Sequence, residues 1–216
     1  STATQTIPIL GTAVTEYGVA LDIKDFNGTV GGNISGTSDL APLDQQADML
    51  LELLPEAQNV GILYCSAEAN SVYQADVVKA ALEAKGVNVT VYTFADSNDV
   101  ATVTQTACAE NDALYIPTDN TAASCTEAIN NVAEPAGVPI VAGEEGICKG
   151  CGIATLSIDY YELGKTTGAM AAKILTGEAN VSEMPIEYYQ NPVKKYDAAR
   201  CEALGITVPA DYVAIG

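Results

Sequence analysis

Three short polar runs, each directly after an apolar one, hold the residues of this chain best suited to grip a small charged molecule. Ser66, Asn70 and Ser71 follow VGILYC at 60–65, Thr118 and Asn120 follow ALYIP at 113–117, and Glu145 follows VPIVAG at 138–143. A strand that runs straight into a helix leaves backbone N–H groups and short polar side chains pointing outward at its carboxyl end. Hydroxyl, amide and N–H donors in such a turn suit a carboxylate. The same residue types are also good helix caps. Asp119 reads as the cap, because a second carboxylate would repel an anionic ligand. An α-ammonium group needs an acidic partner, for which Asp159, closing the triplet SID, is the first choice and Glu145 the second. Thr12 and Thr15, after TIPIL, repeat the pattern early in the chain, and Tyr160 offers a ring to stack on an aromatic ligand.

The elements that must position these residues follow from the apolar pattern. Val60–Cys65, Val87–Tyr92, Ala113–Ile116 and Ile153–Ile158 read as strands. Leu43–Leu54, Ser71–Lys85, Val100–Glu110, residues 122–134 and Tyr160–Thr176 read as helices, ended by Pro55, Gly86 and Gly177 where such residues follow. Val138–Gly146 is a reduced strand–turn unit, and Asp22–Pro42 reads as loops around a short strand near Asn33–Ser35. Pro185–Tyr189 reads as a further strand, and a short helix near Asp197–Leu204 closes the chain. Apolar strands alternating with helices predict an α/β fold with doubly wound parallel sheets. Ligands of such sheets lie beyond the carboxyl ends of the strands, so the polar turns should line one rim.

Composition narrows the function. A formal net charge of −19, from 28 acidic and 9 basic residues, argues against nucleic acid, DNA or RNA, as a partner. Histidine is absent, which removes histidine acid–base chemistry and most transition-metal schemes, and no cofactor or metal is expected. No apolar run approaches the roughly 20 residues of a membrane-spanning helix. The start at Ser1-Thr2-Ala3-Thr4 reads as a processed or cut end. Among six cysteines, Cys148 and Cys151 form a CxxC, but glycines surround it, and a structural disulfide or two free thiols in a turn is the expected state.

The segments LELLPEAQNVGILYCSAEANS, DALYIPTDNT, VPIVAGEEG and SIDYYELGKTTGAMAAKILTGE, with TIPILGTAVTE and NISGTSDL before them, resemble the solute-binding proteins of ABC importers. The branch they resemble has the type I periplasmic-binding fold and binds aromatic amino acids. The resemblance implies two lobes closing like a hinge on a small amino acid, aromatic favoured, which is delivered to an ABC transporter permease without turnover. It implies ligand contacts at Ser66, Asn70 and Ser71, and an extracytoplasmic place, periplasmic or as a cell-surface lipoprotein. Family members carry a further N-terminal portion ahead of the part similar to Thr6–Thr15, so the first lobe is expected to be truncated at its N-terminus. Residues 1–42 and 151–182 would belong to the first lobe, 43–150 to the second, and 183–216 to a C-terminal return to the second. Two enzymatic alternatives stand beside this reading. One is a small α/β enzyme with Glu144, Glu145 and Asp159 as acid–base groups; the other is a thiol oxidoreductase using Cys148 and Cys151.

Overall fold

The fold is described from a computed structural model covering residues 3–216, so Ser1 and Thr2, the first half of the Ser1–Thr4 segment, lie outside the described residues. The chain begins with strand β1 (Ile9–Gly11), a single helical turn α1 (Tyr17–Ala20) and strand β2 (Ile34–Ser38). It continues through α2 (Leu43–Leu53), β3 (Asn59–Cys65), α3 (Ala69–Glu83), β4 (Asn88–Phe94), α4 (Val100–Glu110) and β5 (Ala113–Ile116). Then come α5 (Asn120–Ser124), α6 (Thr126–Ala136), β6 (Ile140–Ala142), α7 (Glu145–Cys151), β7 (Ala154–Ser157) and α8 (Tyr160–Leu175). Strands β8 (Glu187–Tyr188) and β9 (Val193–Tyr196), helix α9 (Ala198–Ala203) and strand β10 (Val213–Ala214) complete it.

These elements form two compact units, residues 1–40 with 158–192, and residues 41–157 with 193–216. The divisions fall at 40/41, 157/158 and 192/193, where the sequence suggested 42/43, 150/151 and 182/183. The second division comes later because β7 pairs with β6 on one side and with β9 on the other, which keeps 154–157 in the larger sheet. The third comes later because β8 pairs with β2 and so stays in the first unit.

In the first unit β1, β2 and β8 form a parallel sheet in the order β1-β2-β8. Gly11 and Gly36 stand opposite each other in register, and the Tyr17 hydroxyl lies against both. A Cβ on either would meet that oxygen at 2.3 Å, and Gly36 also holds φ at +148°, so both positions require glycine. The Tyr17 hydroxyl donates to Thr37 O, and α8 is tied to β2 by a 2.8 Å bond between Thr167 and Thr37 hydroxyls.

In the second unit seven strands run β10-β9-β7-β6-β5-β3-β4, all neighbours parallel except β7 and β9. Strand residues alternate between the two faces. One face carries Leu63, Leu114, Ile116, Ile140 and Phe94 into a core closed by Val100 and Ala107 of α4, Ile129 of α6 and Ile147 of α7. Helices α2 and α3 lie together over strands of the same sheet, burying Leu50, Val78 and Leu82 completely.

Two local expectations change. The single helix expected at 122–134 is two, α5 and α6, divided at Cys125; the Ser124 hydroxyl turns back to Thr121 O at 2.7 Å and Cys125 N bonds Ala122 O, tightening the last turn. The Cys148–Cys151 motif lies on a helix, α7, and not in a turn, because Glu144 caps the preceding residues and starts the helix. All six cysteines are free thiols.

Candidate functional site

The carboxyl ends of β3, β5 and β6 bring their three turns to one rim of the larger sheet. Buried Asp119 organises the first two. Its Oδ2 accepts from Ser71 Oγ at 2.7 Å and Cys65 N at 2.9 Å, and its Oδ1 accepts from Ala122 N at 2.7 Å, capping α5. Burial raises the Asp119 carboxyl above the ordinary aspartate range, although these three donors pull it down. Thr118 is held by Gln74, whose amide accepts from Thr118 N at 3.1 Å and donates to Thr118 O at 3.0 Å. Asn70 donates to the same carbonyl at 3.1 Å. Beneath the rim, buried Tyr115 donates to Gln46, and Gln46 donates to Gly143 O at 3.2 Å, a carbonyl that also accepts from Thr118 Oγ1.

Glu68 closes the arrangement. Its carboxylate accepts from Asn120 N and Nδ2 at 3.0 and 2.9 Å, and from Thr121 N and Oγ1 at 2.8 and 2.7 Å. Partial burial pushes this carboxyl up, but the four donors together hold it below the ordinary glutamate range. The opening turn of α5 is thus filled by a carboxylate of the protein itself. Likewise Glu144 takes Gly146 N and Ile147 N at the start of α7. Of the helices that follow β3, β5 and β6, only α3 starts without a side-chain cap.

The structure therefore brings Ser66, Asn70, Ser71, Thr118 and Asn120 together on one rim, but in different states. Ser66 is exposed, with its hydroxyl on Phe94 O at 3.3 Å, whereas Ser71 is fully buried on Asp119. Glu145 stands further along, where Oε2 accepts from Lys195 Nζ at 2.6 Å and Ser157 Oγ at 2.8 Å, with Lys149 3.3 Å from Oε1. The Lys195 hydrogen bond, outweighing burial and helped by Ser157 and Lys149, brings its carboxyl down to about 2.

The first unit has its own rim, at the carboxyl ends of β1, β2 and β8. Thr12 is exposed and Thr15 buried, with Thr15 O accepting from Ser38 Oγ at 2.8 Å. Asp159 caps α8, its Oδ1 accepting from Tyr161 N at 2.9 Å and Glu162 N at 3.0 Å. Tyr160 donates its hydroxyl to Asp39 Oδ2 at 3.1 Å.

Sequence reading missed Glu68, Gln74, Gln46 and Asp39. Glu68 bonds residues 52 and 53 positions away, so nothing local marks it. Asp39 had a legible signal, since it directly follows the apolar-to-polar end of β2. Two cavities of the larger unit lie at the opposite, amino ends of its strands. One of 590 Å³ is lined by Leu53, Pro55, Asp112 and Ile206, and one of 260 Å³ by Pro135, Pro139, Cys151 and Arg200. Burial drives the Cys148 thiol far upward and Cys151 to about 12, so neither is a ready nucleophile.

Parallel sheets with polar turns at their carboxyl rims, in two units threaded by three crossings, define an α/β protein of the type I periplasmic-binding class. The sequence model described as "ABC transporter substrate binding protein" matches residues 1–214, and the chain belongs to that family. It is 33% identical over 184 residues to the tyrosine-binding protein of Clostridioides difficile (strain R20291), a match spanning 85% of this chain and 53% of that protein. The chain thus spans about half the length of this curated relative. An ABC domain from Streptococcus pneumoniae solved in complex with L-Trp superposes with a TM-score of 0.88 at 30% identity, covering 97% of this chain and 70% of that one. A ligand-free, open substrate-binding protein with adhesive properties from Clostridium difficile gives 0.77 at 33%, covering 100% and 74%.

Proposed function

We propose that this chain is the extracytoplasmic substrate-binding part of an ABC importer, periplasmic or lipid-anchored at the cell surface. It holds a free aromatic amino acid and hands it, chemically unchanged, to a membrane permease. The observation that carries the reading is the division of labour on the larger rim. Glu68 and Glu144 fill the openings of α5 and α7, while α3 starts uncapped beside exposed Ser66. A ligand carboxylate is then taken by Ser66 and the first N–H groups of α3, with Asn70, Ser71, Thr118 and Asn120 fixing the turn around it. Thr12, Thr15, Asp159 and Tyr160 enter this reading from the first unit, on the family resemblance. The ligands of two relatives, tyrosine by name and L-Trp by its complex, support an aromatic side chain.

Native mass spectrometry of the protein with L-Trp or L-Tyr tests the reading. One intact ligand per chain, recovered unaltered after prolonged incubation, is expected; conversion of the ligand would make the protein an enzyme.

A further inference from the structure

Among the described residues, the edges of the two sheets are β1, β8, β10 and β4. Three of these are short: β1 has three residues, β8 and β10 two each. Strand β4 has seven, all paired in unbroken register with β3. From Asn88 to Phe94 it carries no charge and no proline, in a chain of net charge −19. Short length, lysines, prolines and bulges are what keep exposed edges from pairing with other chains. Strand β4 has none of them. Asn88 N donates to Gln58 O and Phe94 O accepts from Ser66 N, so the even-numbered residues bond towards β3. Backbone groups of successive residues point to opposite sides of a strand, so Val89, Val91 and Thr93 turn theirs outward, where they meet no partner among the described residues. The side chains of these three share the face opposite Tyr92 and Phe94, which lie in the core. Val91 is 37% exposed, and Thr93 is exposed beside it.

An edge of this kind is completed by another strand, and β4 fits itself. Antiparallel pairing about a two-fold axis through Val91 sets Val91 opposite Val91, Val89 opposite Thr93 and Thr90 opposite Tyr92 of a second copy. In that register Val89, Val91 and Thr93 form the directly bonded pairs, so each outward N–H and C=O meets its complement. Their β-branched side chains meet on one face, a favourable cross-strand combination. The flanking charges match as well. Exposed Lys85 precedes the strand and exposed Asp96 follows it. The same register brings Gly86 opposite Asp96, so Lys85 of each copy stands beside Asp96 of the other. Within its own chain Lys85 reaches Asp48 at 2.7 Å, and Asp96 accepts from Asn98 N at 2.8 Å. We propose that two copies of this protein associate through β4 into a two-fold dimer in which their larger sheets continue as one. An unlike strand would gain the same backbone bonds but not the self-matching side chains and charges.

Sedimentation velocity from micromolar to submillimolar protein, together with cysteine crosslinking, tests the interface. The wild type is expected to shift with concentration from one chain to two. Val91→Lys sets like charges face to face on the axis and should weaken the dimer by more than about tenfold. Its circular dichroism spectrum should be unchanged, since the outward groups of Val91 take no part in pairing with β3. If Val91→Lys does not fold, the crosslinking carries the test. Val91→Cys should give a disulfide-linked dimer under mild oxidation, because directly bonded antiparallel residues stand about 5.5 Å apart at Cα, within disulfide range. Val89→Cys faces Thr93 of the second copy and not itself, and should crosslink no faster than the wild type with its own cysteines. A wild type that stays a single chain throughout the range overturns the proposal and would leave the edge to a strand of an unlike protein. A dimer that survives Val91→Lys, or that crosslinks equally well from both cysteine positions, overturns it too.

Discussion

The Ser71 hydroxyl donates to Asp119 Oδ2 at 2.7 Å across 48 residues of sequence, and both side chains are buried. This bond joins the turn after β3 to the turn after β5, and so fixes the spacing of the donors on the larger rim. Ser71→Ala leaves Asp119 with one partner fewer. It should cost about 1–3 kcal/mol, the usual penalty for an under-satisfied buried group. Urea unfolding should show a lower midpoint with an unchanged slope.

Glu68 is the second tie across the same rim, through four donors on Asn120 and Thr121. Because its folded carboxyl lies below the ordinary range of 4.5, its contribution to stability is full above that value and is lost as pH falls through the depressed one. Glu68→Ala should lower the thermal midpoint at neutral pH. The difference from wild type should shrink on acidification, followed by circular dichroism between neutral pH and strong acid.

Glu145 ties α7 to β7 and β9 through Ser157 and Lys195. Its carboxyl falls from an ordinary 4.5 to about 2, so its stabilisation is complete above 4.5 and disappears between 4.5 and about 2. With a side chain 25% exposed and solvent screening the pair, the expected loss in Glu145→Gln at neutral pH is about 1 kcal/mol. The variant's stability should also vary less than the wild type's across that acid window.

The cysteines predict a labelling order. Cys125 is half-buried, whereas the other five are buried, and Cys148 and Cys151 carry strongly raised thiol values. Native protein treated with a maleimide should modify Cys125 first and Cys148 and Cys151 only on unfolding. Rapid native reaction at the CxxC pair, with insulin reduction, would revive the oxidoreductase alternative.

Much of the fold was legible because apolar strand runs and cap residues are local signals. VGILYC and ALYI are buried strands where the pattern put them, and Asp119 caps α5 as its type suggested. The tail strands β9 and β10 were not legible. Lys194, Lys195 and Tyr196 of VKKY carry no apolar alternation, and β9 is set by its antiparallel pairing with β7. Side-chain partners were harder to read than the elements that carry them. Ser71 and Asp159 stand at helix starts after apolar strands, as read, and the structure ties one to Asp119 and the other to the first turn of its own helix. Such commitments depend on partners far away in sequence or on cap geometry, which residue type alone does not decide.

The measurement that bears most directly on the receptor reading is isothermal titration of the chain with L-Trp and L-Tyr, with a sugar such as D-ribose as the comparison ligand. Saturable one-to-one binding of an aromatic amino acid and none of the sugar is the expected result. Ligand at about a hundred times its dissociation constant should then add about 2.7 kcal/mol to stability. Binding of the sugar and not of L-Trp or L-Tyr would contradict the account.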